Sequence, residues 1–431
     1  MTRLLYILCV MLMAGVSRAG AVNTEKPDTL AEVEDTLELN LQVSVITCDP
    51  GPDAYQMFGH TALRIRDLDN PEYDFVYNYG VFDSRRDNFI YYFVKGETDY
   101  TLSADKAERF VGKYSGYFGI PMREQVLNLT DEQKSELEWL LEINAQKENC
   151  TYRYNFLYDN CTTRAARKIE DALNVCKANL VYKQMPVERE NTTFRDILHR
   201  FTSKAPWLEF GIDLVLGAEV DKPRSQMEQM FIPSVYEDEL SNAVIKQEDG
   251  ETVNIVLKTE KIAPTVEMKT VPDFPLSPFV TFLILLVLVS AISLFDVKRC
   301  KLSSWLDISG FFIRGLAGFL VAFLFFFSEH PAVGSNWLVL AFNPLVFFMI
   351  PDVVYITWQK RFMKKVTIKN MTCDLFEVVN LAVLIFTLLL FVLPIQQLNI
   401  AMLPLVLTLL VRSITRITVL GKNTVNKTIY N

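Results

Sequence analysis

FVTFLILLVLVSAISLF, residues Phe279–Phe295, carries no charge and no proline. As a helix rising about 1.5 Å per residue it reaches across most of a bilayer's hydrocarbon core. Further apolar stretches follow it. Ile308–Phe327 has Arg314 near one end, where a long side chain can snorkel to the interface. Trp337–Trp358 is broken by Pro344 and Pro351, Val378–Ile395 carries no charge, and Ile400–Leu420 is interrupted by Arg412 and Arg416. The pattern predicts an all-α, five-helix transmembrane bundle over residues 276–421.

The loop charges orient that bundle. The loop after the first span holds Lys298, Arg299 and Lys301, and the loop after the third holds Lys360, Arg361, Lys364, Lys365 and Lys369. The tail, residues 422–431, holds Lys422 and Lys427, beyond Arg412 and Arg416. The alternate connections, Ser328–Asn336 and Gln396–Asn399, contain neither Lys nor Arg. Basic loops stay in the cytoplasm, so the tail is expected inside and the large N-terminal domain outside.

The N-terminus agrees. Arg3, the apolar run Leu4–Val16 and Ser17-Arg18-Ala19 form a signal-peptide pattern with cleavage after Ala19, a permanent anchor being the competing reading. Cys9 lies inside the apolar run, where it cannot serve as a lipid-attachment cysteine. Residues 20–275 then form the exported domain. At 431 residues, the chain is long enough for two such units. A net charge of −8 excludes nucleic acid as a partner, because a polyanion demands a basic face. Cys48, Cys150, Cys161 and Cys176 show neither C-x-x-C pairs nor zinc-like spacing with histidine, so no metal is expected. Outside the cytoplasm one or two of them can be oxidised, with a pairing that spacing does not reveal.

One external loop is unusual. Glu329-His330-Pro331 precedes Gly334-Ser335-Asn336-Trp337, with Asn343-Pro344 in the next span. A helix cap and an interfacial tryptophan explain it. The functional alternative is that His330, Asn336 and Asn343 contact a lipid or peptide.

Within the exported domain, Leu39–Thr47 is rich in β-branched residues, while His60–Arg66 and Tyr73–Gly80 alternate around the turn-forming Asp67–Glu72. This predicts a hairpin with His60 opposite about Tyr79, and Asn78 adjacent. Asp131–Lys147 has helical spacing behind a Thr130/Gln133 capping box, and Ala243–Ala263 reads as a hairpin around Gly250. Ala165, Ala166, Ile169 and Leu173 repeat at helical spacing behind Asn160, a good N-cap, which puts Cys161 at the first position of a helix.

That position carries chemistry. A helix N-terminus favours a thiolate, its free amides can hold an oxyanion, and Asn160 and Arg164 are placed to support both. The domain contains two histidines. His199 sits in a polar helical stretch and reads as a solvated-face residue, which leaves His60, at the start of a strand, as the better base. Hairpin pairing nominates Asn78 to orient the imidazole, with Asp83 as second choice. The competing reading is a buried structural cysteine at a helix start.

Three stretches extend the pattern: Phe58-Gly59-His60-Thr61-Ala62-Leu63-Arg64, Asn78-Tyr79-Gly80-Val81-Phe82-Asp83 and Tyr158-Asp159-Asn160-Cys161-Thr162-Thr163-Arg164. Together they resemble the exported domain of bacterial Lnb-type lipoprotein N-acyltransferases. Leu208–Gly217, Met230–Pro233, His330-Pro331 and Asn343-Pro344-Leu345 extend the resemblance over most of the chain. Histidine on a strand, followed by cysteine opening a helix, is also similar to permuted papain-like thiol acyltransferases. The resemblance implies an α+β papain-like (permuted) domain in the periplasm before the five-helix bundle, in the bacterial inner membrane. It implies Cys161 as nucleophile, His60 as base, and no cofactor. The implied partners are a membrane phospholipid as acyl donor and a diacylglyceryl-modified lipoprotein as acceptor. A membrane-anchored cysteine peptidase or amidase acting on cell-wall peptides, and a non-enzymatic membrane assembly factor, are the rival readings.

Overall fold

β-Branched Leu41–Cys48 forms strand β1 in the computed structural model of the chain, and both of its faces are buried. The structure describes residues 40–51, 53, 56–83, 85, 87–262, 274–362 and 371–429. The expected signal segment 1–19, part of the proline-rich tether, and Lys364, Lys365 and Lys369 lie outside the described residues.

In chain order the strands are β1, β2 (His60–Asp67), β3 (Asp74–Val81), β4 (Asp99–Lys106), β5 (Met122–Leu127), β6 (Thr151–Arg153), β7 (Asn179–Val181), β8 (Val244–Lys246), β9 (Thr252–Asn254) and β10 (Val256–Lys261). The main sheet is antiparallel throughout, in the order β10-β5-β1-β2-β3-β4-β6. A small second sheet runs β7-β8-β9. The expected turn at Gly250 joins β8 to β9 with φ of +87°. The rest of that stretch, β10, leaves the hairpin to pair with β5.

The helices of this part are α1 (Phe89–Lys95), α2 (Ala107–Val111, running into a π-helix at Gly112–Tyr117), α3 (Asp131–Ala145) and α4 (Cys161–Val175). They are followed by α5 (Phe194–Thr202), α6 (Pro206–Val215), α7 (Gln226–Gln229) and α8 (Pro233–Ser241). The Thr130/Gln133 capping box forms as its sequence requires. Leu137 and Leu141 of α3 and Ala165, Ile169 and Leu173 of α4 pack with Leu41, Val43 and Val45 on one face of the sheet. Ile46 and Cys48 face the other side, with Ala62, Val76, Phe110 and Met122. Each fully buried Leu, Ile or Val contributes about 1.5–3 kcal/mol, so α4 is held against the sheet by its apolar stripe.

The register of the β2/β3 hairpin differs from expectation by one residue. Leu63 pairs with Tyr77 and Arg66 with Asp74, a register closed by Asp67 N–H donating to the Tyr73 carbonyl at 2.8 Å. Extended to the end of β2, it sets Gly80, not Tyr79, opposite His60. A one-residue shift exchanges the faces of a strand, and this one puts His60 and Asn78 on the same face.

The compact units interleave along the chain. One comprises the sheet domain up to Ile197, with residues 223–272. The other comprises residues 198–222 and the chain from 273 onward. The second holds α9 (Pro278–Arg299), α10 (Ser304–Phe327), α11 (Leu338–Ala341), a 3-10 turn at Pro344–Phe348, α12 (Met349–Phe362), α13 (Met371–Leu389) and α14 (Met402–Ile429). Among the described residues, four segments, Pro278–Arg299, Ser304–Phe327, Leu338–Thr357 and Met402–Gly421, are long and apolar enough to cross a membrane, and Leu375–Leu389 is a shorter apolar helix. The expected five spans are thus four of full length and a short one.

The third span is broken at Pro344, as its sequence indicates, whereas Pro351 sits in the first turn of α12, where no backbone donor is lost. Gly315 and Gly318 make room for the break. A Cβ at Gly318 would stand 2.5 Å from the Asn343 backbone. Arg314 does not snorkel. It is buried, and its Nε donates to the Ala341 carbonyl at 2.7 Å, an acceptor that the broken helix leaves open.

Arg412 and Arg416 are also buried, because acidic partners meet them. Arg412 reaches Asp296 at 2.7 Å and Asp307 at 2.6 Å. Arg416 reaches Glu377 at 2.5 Å and Asp307 at 3.2 Å. The two arginines therefore tie α9, α10, α13 and α14 together.

Candidate active site

Asn160 builds the start of α4. Its Oδ1 accepts from the backbone N–H of Thr162 and of Thr163, both at 2.9 Å, and its Nδ2 donates to the carbonyls of Phe156 and Phe231. Cys161 follows as the first helical residue and is 7% exposed. Thr61 Oγ1 and Thr162 Oγ1 lie 3.1 Å apart, joining the start of α4 to the start of β2.

His60 opens β2. Its Nε2 lies 2.6 Å from Asn78 Oδ1. Because Asn78 presents an oxygen, Nε2 carries the proton and Nδ1 remains for exchange with the thiol. Tyr114, from the π-helix, stacks on the imidazole with ring centroids 5.4 Å apart and planes 9° from parallel. Two glycines shape the approach. Gly59 has φ of +78°, and a Cβ there would stand 2.6 Å from the Cys48 carbonyl oxygen. Gly80 has φ of +88°, and a Cβ there would lie 3.6 Å from the Tyr154 ring, 3.8 Å from Cys161 Cβ and 3.9 Å from His60 Cε1. A bulge between Asn78 and Val81 produces that conformation.

Electrostatics couple the pair. Burial alone would raise the Cys161 thiol, but the His60 imidazole, the Thr61 backbone N–H and the Thr162 hydroxyl outweigh it, so the thiol is held below its ordinary pKa. Burial likewise lowers His60, but the Cys161 sulfur and the hydrogen bond to Asn78 raise it above the ordinary value. The direction is that of a thiolate–imidazolium pair. Because Asn160 Oδ1 already takes the N–H groups of Thr162 and Thr163, the backbone donors for an oxyanion at this helix start are those of Thr61 and Cys161 itself.

The structure therefore brings Cys161, His60 and Asn78 together, with Asn160 capping the helix. Arg164 is directed elsewhere: it forms a bidentate pair with Asp159 at 2.9 and 2.8 Å and lies over the Tyr152 ring. Asp83 is exposed and bonds to Arg85. Thr61, Tyr114 and Tyr154 were not singled out from the sequence. A backbone donor and two rings brought in from other elements leave no local signature there. Cys48 pairs with His60 in the β1/β2 register, and burial pushes its thiol up. Cys48, Cys150, Cys161 and Cys176 form no disulfide with one another.

In the bundle unit, Asn336 is buried, with Nδ2 on the Leu214 carbonyl and Oδ1 accepting from Leu338 N–H and from Gln396 Nε2. His330 is buried, and Asn343 Nδ2 donates to the Leu340 carbonyl. His199 is not a solvated-face residue, since Nε2 meets both Asp213 oxygens at 2.9 and 3.0 Å. With Glu209 these two place ligand-type atoms within 4.8 Å of one another. The His199–Asp213 pair and a Thr202 hydroxyl on Glu209 already satisfy that cluster by hydrogen bonds.

Fold and site together define a membrane protein whose α+β domain carries a cysteine–histidine pair ahead of a helical bundle. The chain belongs to the Lnb family: residues 31–200 match the Lnb N-terminal periplasmic domain, and residues 269–424 match the Lnb transmembrane domain. It is thus a membrane protein with a periplasmic domain. Among curated proteins and among solved structures, none matched the chain.

Proposed function

We propose that the protein is a lipoprotein N-acyltransferase of the bacterial inner membrane, working through a Cys161 thioester. The observation that carries this reading is His60, hydrogen-bonded to Asn78 at 2.6 Å and coupled to a thiol held below its ordinary pKa. The Cys161 thiolate attacks an ester carbonyl of a membrane phospholipid. The C–S bond forms, the C–O bond breaks, and the departing glycerol oxygen takes the proton of the His60 imidazolium, releasing a lysophospholipid. The neutral α-amine of a diacylglyceryl-cysteine lipoprotein then attacks the thioester carbonyl. The C–N bond forms, the C–S bond breaks, and His60 takes the amine proton, which restores the ion pair. The backbone N–H groups of Thr61 and Cys161 hold the oxyanion in both halves. Both substrates are membrane lipids, which gives a family transmembrane domain of several apolar helices a role beyond anchoring.

The test is to incubate the purified full-length protein with phospholipid labelled in its acyl chain. A hydroxylamine-sensitive label on the wild type, lost in Cys161→Ala and transferred on addition of a diacylated lipopeptide, is expected. No label on the wild type, or equal label on Cys161→Ala, overturns the reading. Cleavage of cell-wall peptides without lipid labelling would favour a peptidase or amidase.

A further inference from the structure

Cys161 is nearly buried, yet a chain of aromatic rings leads from it to the surface. The Tyr154 ring and Cys161 Cβ both border Gly80, 3.6 and 3.8 Å from where a Cβ on it would stand. Tyr154 stacks on Tyr100 with centroids 4.2 Å apart and planes 24° from parallel. Tyr100 meets Phe82 at 5.0 Å, and Phe82 stacks on Phe89 at 5.6 Å and 11°. Phe89 is the first residue of α1, whose sequence FIYYFVK has no charge before its last residue. Burial declines along this path: Tyr100 is buried, Phe82 and Phe89 are half-buried, and Ile90 and Tyr91 are about half exposed, at 49% and 51%.

Single exposed apolar residues are ordinary on any surface. An uncharged aromatic helix whose first ring begins a continuous path to a nucleophile is a different arrangement. Tyrosine and isoleucine facing outward from a short helix suit the headgroup–acyl boundary of a bilayer, and the same chain carries segments apolar enough to cross one. We infer that α1 contacts the lipid surface, and that the acyl chain of the phospholipid donor runs along Phe89, Phe82, Tyr100 and Tyr154 to Cys161. The inference rests on the thioester reading for its chemistry, but the lipid contact is separately measurable. Flat ring faces and the absence of a charged side chain along the ladder match a hydrocarbon chain rather than a peptide.

The full-length protein in phosphatidylethanolamine–phosphatidylglycerol vesicles, doped with a phospholipid bearing a diazirine in its acyl chain, is irradiated, and adducts are mapped by mass spectrometry. Adducts on the α1 peptide and on those containing Phe82, Tyr100 or Tyr154 are expected. Adducts confined to the bundle helices overturn the inference. In a second arm, the Ile90→Glu/Tyr91→Glu variant is expected to slow Cys161 loading from vesicles by about tenfold or more. Its loading from soluble p-nitrophenyl butyrate, which needs no bilayer, is expected to match the wild type. Equal loading from vesicles, or an equal loss with both donors, overturns the inference. A wild type that loads from no ester strikes the thioester reading instead, and the α1 adducts then still decide the lipid contact.

Discussion

Asn78 Oδ1 stands 2.6 Å from His60 Nε2, and the two side chains share a face of the sheet because β2 and β3 are closed at Asp67 and Tyr73. The bond fixes the tautomer and raises the imidazole's pKa, while the imidazole lowers that of Cys161. Loading is therefore expected to follow a bell-shaped pH profile. Rate is lost on the acid side as the thiolate takes up a proton below its depressed pKa, and on the basic side as the imidazolium loses its proton above its elevated pKa. Asn78→Ala removes a raising influence, so the basic limb moves to lower pH and the maximal rate falls on the order of 10²-fold as the ring loses its alignment. Thioester formation measured across pH checks this. An unchanged basic limb would remove Asn78 from the site.

Gly59 and Gly80 bracket the pair with positive φ. Gly59→Ala meets the Cys48 carbonyl oxygen at 2.6 Å as well as the strained conformation. Gly80→Ala meets only ordinary contacts, so its cost is conformational. Gly80→Ala is expected to cost about 1–3 kcal/mol, and Gly59→Ala more, in thermal unfolding of the full-length protein. The reverse order would contradict the backbone assignment.

Much of the domain was legible because its signals are local. A β-branched run, a Thr-x-x-Gln capping box and an Asn-Cys-Thr-Thr helix start each specify their own element. The cysteine–histidine pair was legible for the same reason, since the helix start and the strand end are local features. What was lost needed knowledge of partners. The hairpin register depended on which turn residues pair. β10 departs because β5 offers a free edge. Arg412 and Arg416 looked like interruptions until Asp296, Asp307 and Glu377, distant in sequence, met them. The two arginines near the cytoplasmic tail are therefore internal partners, and orientation rests on the remaining loop and tail charges together with the N-terminal signal pattern.

Tyr114 is assigned a positioning role by its stacking on the imidazole, with ring centroids 5.4 Å apart. Tyr114→Ala is expected to lower the rate of thioester formation about tenfold, a loss of roughly 1.4 kcal/mol in barrier, with little change in the donor concentration giving half-maximal rate. Tyr114→Phe, which keeps the ring, is expected to retain most of the rate. Equal loss in both variants would assign the role to the hydroxyl rather than to stacking.

Removing one member of the buried ion network in the bundle should cost more than removing two. Arg416 is 2% exposed and holds Glu377 at 2.5 Å, with Asp307 beyond it. Arg416→Met leaves the Glu377 carboxylate with the Ser413 hydroxyl as its remaining hydrogen-bond partner in this network, while Asp307 keeps Arg412 at 2.6 Å. An uncompensated buried charge costs about 3–5 kcal/mol, so this variant is expected to unfold at markedly lower temperature in detergent. Adding Glu377→Leu removes the orphaned charge and returns apolar volume, so the double variant should be more stable than Arg416→Met despite its extra substitution. The four thermal midpoints, wild type, each single and the double, form a cycle that reads the coupling directly. If the double falls below both singles, the two side chains act independently, and the network is not what holds α13 to α14.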